Sequence, residues 1–302
     1  MSQPNEQAIR AEFAPEFFLR ELKAAARKGE FPLVATLLQE YEERFTRDAF
    51  YAESLSWVAR SAAAKGFASE ARDHARMAYA LAVSQLGDGV AATGSPLELA
   101  AGAAIEVESQ LLLSGDGPSA AIGYLEQQLA RFPGQPFQTR IRKNLHLLAL
   151  TGKPAPAIDW EPLPGTFPGD ECLLKGPRLL FFWAHWCSDS RAQARGLAKL
   201  QETPAGSIPM IAPTRLFGYI TKGKPAEEAE ELDRLQEIRR VDYAVLASSP
   251  IPFGAGNLDR YGASTFPTLV GIRGDGRVEF FHAGAMRAEE LAERLTALLQ
   301  AC

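Results

Sequence analysis

Over roughly the first 150 residues, apolar positions recur three or four apart in seven successive segments, from FFLRELKAAARKG (17–29) to FQTRIRKNLHLLALTG (137–152). Ala, Leu, Glu, Arg and Gln dominate them, so each is predicted to be a helix with one apolar stripe to bury. Three segments end at KGEF (28–31), KGFA (65–68) and SGDG (114–117), and each is followed by another helical segment. A glycine just past a helix supplies the left-handed cap, so these are read as the corners of three helical hairpins.

The rhythm changes after GKPAPAIDWEPLPGTFPGD (152–170), whose five prolines remove backbone donors and forbid helix. RLLFFWA (178–184) is a short apolar run suited to a buried central strand, followed by a helix at RAQARGLAKLQ and a second strand at SIPMIA (207–212). AEEAEELDRLQEIRR reads as a helix with acids early and bases late, matching its dipole, and therefore as a solvated surface helix. PTLVGIR and RVEFFHAG form a hairpin around GDG, and AEELAERLTALL is the last helix. The expected fold class is therefore multi-domain: an all-α helical-hairpin array over residues 1–150 and an α/β layer over 151–302.

A length of 302 residues with 46% apolar content suits two cores. The net charge of −5 is shared between the halves, and no basic stripe marks a nucleic-acid binder. MSQPNEQAIR lacks the basic flank and apolar core of a secretory signal, and no apolar run approaches the roughly 20 residues that span a bilayer. The expectation is a cytoplasmic protein as written, or a periplasmic one if a signal peptide has been removed. Three cysteines, Cys172, Cys187 and Cys302, exclude a disulfide framework and leave at least one thiol free. The four histidines have no metal-type spacing, so no metal or other cofactor is expected.

The chemistry concentrates in WAHWCSDS (183–190), where Cys187 stands between a strand end and a helix start. Unpaired amides and the positive end of a helix dipole stabilise a thiolate there, and the thiolate is the attacking species in disulfide exchange. WAHWC at a strand end, TFPT (265–268) before a hairpin strand, GKPAP upstream and LKG (174–176) ahead of the strand together resemble the thioredoxin superfamily, and its TlpA/ResA-type thiol-disulfide oxidoreductases in particular. The resemblance covers residues 151–302. The helical half resembles tetratricopeptide-like repeats, with an irregular glycine spacing of 37 and then 49 residues and an incomplete signature. Such arrays bind partners along a concave face; a helical domain packed on its neighbour is the equally plain reading.

What the thioredoxin resemblance implies is a nucleophilic Cys187, a cis peptide at Phe266-Pro267, and a Phe266 backbone that pairs with an extended substrate beside the thiol. Trp186, Ser188, Asp189 and Thr265 then border the substrate. Ser190 departs from the family's pattern, since a dithiol enzyme carries its resolving cysteine there. Three readings stay open: a monothiol protein that relies on an external thiol, a cysteine-to-serine form of a dithiol reductase or isomerase, and a thioredoxin fold kept as a non-catalytic interaction module. The expected partner is a protein thiol or disulfide, with glutathione as a co-thiol rather than a cofactor; oligomeric state stays unknown. Neither Cys172, at the far edge of the sheet, nor the terminal Cys302 is expected to resolve Cys187.

Around the motif, Asp189 either caps the helix, the favoured reading, or opposes thiolate formation at Cys187 by its charge; His185 is expected to be a partly exposed strand-end residue, with proton exchange with the thiol as the alternative. Phe181 stands where thioredoxins carry a buried aspartate, leaving Asp159 and Glu161 as substitutes. Arg215, Phe217 and Tyr219 follow a strand end on the active-site side, where they can shape a substrate groove.

Overall fold

The protein is described from a computed structural model covering residues 14–164, 166, 175–221, 224–241, 244–247 and 249–300. Cys172 and Cys302 lie outside these residues. Compactness divides the chain into two units, 1–141 and 142–302, a division inside a helix upstream of the proline-rich segment.

The first unit is all helical: α1 (Pro15–Lys28), α2 (Phe31–Arg44), α3 (Ala49–Ala64), α4 (Ala68–Leu86), α5 (Pro96–Gly115) and α6 (Pro118–Arg131), with α7 (Gln138–Ala149) carrying the chain across the division. The hairpin corners form where glycine permits them: Gly29 caps α1 at φ +84°, and Gly66 and Gly117 take φ +83° and +88° at the next two. Asp48 accepts the Tyr51 amide to start α3, and Ser95 accepts the Glu98 amide to start α5. α3 is the axis of the unit, packing on α1, α4 and α5. Its Tyr51, Leu55, Val58, Ala59 and Ala62 are fully or almost fully buried against Phe18, Leu22, Tyr41 and the alanines of α4.

The second unit is a mixed α/β layer with an open four-stranded sheet, as in thioredoxin-like folds. Its elements are β1 (Arg178–Phe182), α8 (Ser188–Leu200), β2 (Met210–Ile211), β3 (Tyr219–Thr221), β4 (Lys224–Pro225), α9 (Glu228–Val241), α10 (Ala255–Tyr261), β5 (Thr268–Ile272), β6 (Val278–Ala283) and α11 (Ala288–Gln300). The main sheet has the order β2-β1-β5-β6, with β1 parallel to β2 and antiparallel to β5, and β5 antiparallel to β6. β1 is buried on both faces, which explains the apolar run from Leu179 to Phe182. Leu179, Phe181 and Trp183 face a core shared with α8, α9 and α11; Leu180 and Phe182 face one shared with α10.

SIPMIA yields only the two-residue strand β2, because Pro209 and Pro213 flank it and have no N–H for the ladder. Their carbonyls still serve, accepting the Leu179 and Trp183 amides. Besides the expected helix α9, the segment 213–256 holds the β3/β4 ribbon and the start of α10. No helix among the described residues is long and apolar enough to cross a membrane.

Candidate functional site

The site forms where β1 runs out. The Trp183 indole, fully buried, donates to the Ala212 carbonyl at 3.1 Å, and Thr214 Oγ1 donates to the Trp183 carbonyl at 2.8 Å. The chain then turns through Cys187 N–H to Ala184 C=O and enters α8. Cys187 is the N-cap of that helix, in an extended backbone conformation (φ −85°, ψ 118°). Its sulfur accepts the Ser190 amide at 3.5 Å and donates to the Phe266 carbonyl at 3.3 Å. The sulfur thus accepts one hydrogen bond and donates another. Cys187 is 9% exposed, and among the described residues it is a free cysteine.

Phe266-Pro267 is a cis peptide, and the Pro267 carbonyl accepts the Gly284 amide. Thr265 is half-buried; its carbonyl accepts the Thr268 hydroxyl at 2.7 Å, at the start of β5. Ser188 and Asp189 lie exposed in the first turn of α8. The capping role expected of Asp189 falls to Cys187, whose backbone has the extended conformation that a cap requires. Ser190 is fully buried, and its Oγ has no hydrogen-bond partner.

An aromatic cluster borders the thiol. Trp186 packs on Phe217 (5.7 Å between ring centroids), Tyr219 (5.7 Å) and Phe266 (6.0 Å), and Phe217 packs edge-on against Phe266 at 5.3 Å. The Arg215 guanidinium lies 5.2 Å from the Phe217 ring centre. Residues from three separate stretches of sequence thus meet in one ring cluster that includes Phe266, whose carbonyl contacts the Cys187 sulfur.

Two features run against the sequence reading. His185 is fully buried, with Nε2 2.9 Å from the Tyr219 carbonyl and Nδ1 3.7 Å from Glu231 Oε1, where Nδ1 has no hydrogen-bond partner. Burial pushes the His185 imidazole below its ordinary range, and Glu231 and the Tyr219 and Ile220 backbone only partly oppose this. Glu231 itself, on the helix read as a solvated surface helix, is 1% exposed and accepts the amides of Phe217 (2.6 Å) and Gly218 (2.8 Å). A signal for it exists: Glu231 stands four residues before Leu235 and seven before Ile238, both buried, so it occupies the apolar stripe of α9.

Asp159 pairs instead with Arg260 at 2.6 Å, and Glu161 is exposed. Phe181 is fully buried core. No cluster of His, Cys, Asp and Glu suited to a metal occurs among the described residues.

No family model matches the chain. Among solved structures, the chain is similar to a thiol-disulfide isomerase from Corynebacterium glutamicum at 12% identity, covering 50% of this chain and 99% of that one, TM-score 0.40. It is similar to a thiol:disulfide interchange protein of the thioredoxin family from Chlorobium tepidum TLS at 18% identity, covering 48% and 95%, TM-score 0.38. StoA from Bacillus subtilis is similar at 17% identity, covering 46% and 97%, TM-score 0.34.

Proposed function

We propose that the protein carries out thiol-disulfide exchange on protein substrates through the single nucleophile Cys187 of a Cys-X-X-Ser motif. The observation that carries this reading is the sulfur's position: at the N-cap of α8, with the Ser190 amide pointing at it and the Phe266 carbonyl on its other side. The thiolate attacks a disulfide sulfur, a mixed disulfide forms at Cys187, and the displaced thiolate takes up a proton from solvent. The amides of Ser188 and Asp189, at the open end of the helix, support the thiolate. The Phe266 backbone before Pro267, with Thr265 and Trp186, cradles an extended substrate segment. Ser190 has the size of the resolving residue but no sulfur, so a second thiol from outside the motif completes the cycle. The helical unit selects or positions the partner.

One observation favours the rival reading of a non-catalytic interaction module: Cys187 is 9% exposed and its thiol donates a hydrogen bond to a carbonyl. The two separate by rate. Cys187 in the full chain should form a mixed disulfide with bis(2-hydroxyethyl) disulfide faster than the free peptide WAHWCSDS at the same pH. A rate at or below that of the peptide assigns the fold to docking.

A further inference from the structure

Arg215, beside the ring cluster at the thiol, has a ring to stack on but no charge to pair with. It is half-buried, and its Nε is shielded from solvent without an acceptor. Among the described residues, no carboxylate lies within ion-pair distance of it. Glu231, the buried acid nearby in the network, spends both oxygens on the Phe217 and Gly218 amides. Trp186 Nε1, on the same ring cluster, is likewise shielded and without a partner. A guanidinium half removed from water without an ion-pair partner raises the free energy of the folded chain, and an arriving anion relieves it.

Nor is Arg215 loosely placed. On one side, Thr214 is fully buried, donates its hydroxyl to Trp183 and its amide to Pro252, and accepts the Gly254 amide. On the other, Phe217 and Gly218 are pinned by Glu231. The guanidinium lies over the Phe217 ring, which touches both Trp186 and Phe266, and its field reaches the Tyr219 hydroxyl. The cation is therefore held on the ring cluster that includes Phe266, whose carbonyl takes the Cys187 thiol.

We propose that Arg215 is a carboxylate-recognition site that selects, for exchange at Cys187, thiols and disulfides bearing a carboxylate close to the reacting sulfur. This rests on the exchange reading above and specifies its substrate class. The guanidinium donates to the carboxylate while Cys187 forms a bond to one sulfur of the disulfide; the S–S bond breaks, and the other sulfur leaves as a thiolate that takes its proton from solvent. No further oxidant or reductant enters that step. The chemistry fits either a small acidic thiol or an acidic residue flanking the cysteine of a polypeptide. The chain's net charge of −5 works against anions in general, so a preference for them must be local.

The test uses three disulfides of similar size: dithiodiglycolate (anionic), bis(2-hydroxyethyl) disulfide (neutral) and cystamine (cationic). The rate of mixed-disulfide formation is read by mass spectrometry on the peptide containing Cys187 of the full chain, and normalised to the same reactions of mercaptoethanol. The expected normalised ratio of anionic to neutral is about tenfold in favour of the anion at low salt, shrinking as ionic strength rises. R215Q should bring the ratio to about one, and R215K should retain part of it. Should R215Q fail to fold, the salt dependence of the unaltered chain decides. A second arm compares disulfide-linked peptides with Asp or Asn beside the cysteine: an Asp preference assigns the carboxylate to a polypeptide partner, and its absence beside a small-disulfide preference assigns it to a small acidic thiol. Equal normalised rates for all three disulfides overturn the proposal while leaving exchange at Cys187 intact. Failure of all three to outpace the free peptide defeats the exchange reading instead.

Discussion

The carboxylate of Glu231 accepts the amide of Phe217 at 2.6 Å from a position 1% exposed to solvent. Together with the Gly218 bond at 2.8 Å, it ties α9 to the segment that carries Arg215, Phe217 and Tyr219. Charge-assisted bonds of this kind are worth roughly 1.5–3 kcal/mol each, and more is lost when a buried donor is stranded. Glu231→Gln keeps the shape, but its amide nitrogen cannot accept, so one of the two bonds fails. The expected outcome is a loss of about 1–3 kcal/mol in urea unfolding, accompanied by a change in the near-ultraviolet dichroism of Trp186. An unchanged midpoint and an unchanged aromatic spectrum would show that Glu231 anchors nothing.

Acid should weaken the fold through two histidines, the buried His185 and the half-buried His146. His185 and His146 are both pushed below the ordinary value of 6.5, in each case first by burial. A depressed folded-state value means that the unfolded chain binds the proton more readily. The stability these residues contribute is therefore present above pH 6.5 and lost as pH falls from there towards and through the folded-state values. Around His185, Glu231 favours protonation and Arg234 opposes it. Urea midpoints taken from pH 8 down to pH 5 should fall below about 6.5, and His185→Gln should flatten part of that fall. A profile identical in the variant would mean that His185 does not titrate differently on folding.

Ser190 offers a sharper case, since its hydroxyl is buried without a partner. Such a group costs about 1–3 kcal/mol, so Ser190→Ala should leave stability unchanged or raise it by about 1 kcal/mol. A marked loss of stability on calorimetric melting would reveal a bond to Oγ.

Ser190→Cys puts a second sulfur one turn along α8 from Cys187, whose sulfur already takes the Ser190 amide. On mild oxidation this variant should form a disulfide between Cys187 and the introduced thiol, lose two free thiols by titration, and gain insulin-reduction activity. No gain in that assay despite a formed disulfide would count against the exchange reading.

Within the sheet, Gly271 lies opposite Phe280 in the β5/β6 pairing, where a methyl group would run into the Phe280 ring. Gly271→Ala should cost about 1–3 kcal/mol by overpacking, measured as a lowered urea midpoint. A neutral result would mean that the ring moves aside freely.

Much of this architecture was legible in the residue pattern, because periodicity reports which face of an element is buried. The period of three to four marks the helices of the first unit, and the apolar run LLFF marks a strand covered on both faces. Cys187 at a strand-to-helix junction was likewise readable, since strand end and helix start are both local. The same reasoning missed one residue of α9: the helix is solvated over most of its surface, as its charge suggests, but Glu231, in line with Leu235 and Ile238, is buried.

Sequence alone, then, determined the two classes of fold and the place of the thiol, because both follow from interactions within a few residues of chain. Tertiary structure decided what surrounds the sulfur. Cys187 meets Phe266 across 79 residues, His185 meets Tyr219 across 34, and Glu231 reaches back 14 to Phe217. Those meetings depend on how the sheet orders its strands and where α9 packs against it, and packing compensates for a buried charge or an orphaned imidazole only once the whole core has closed around them.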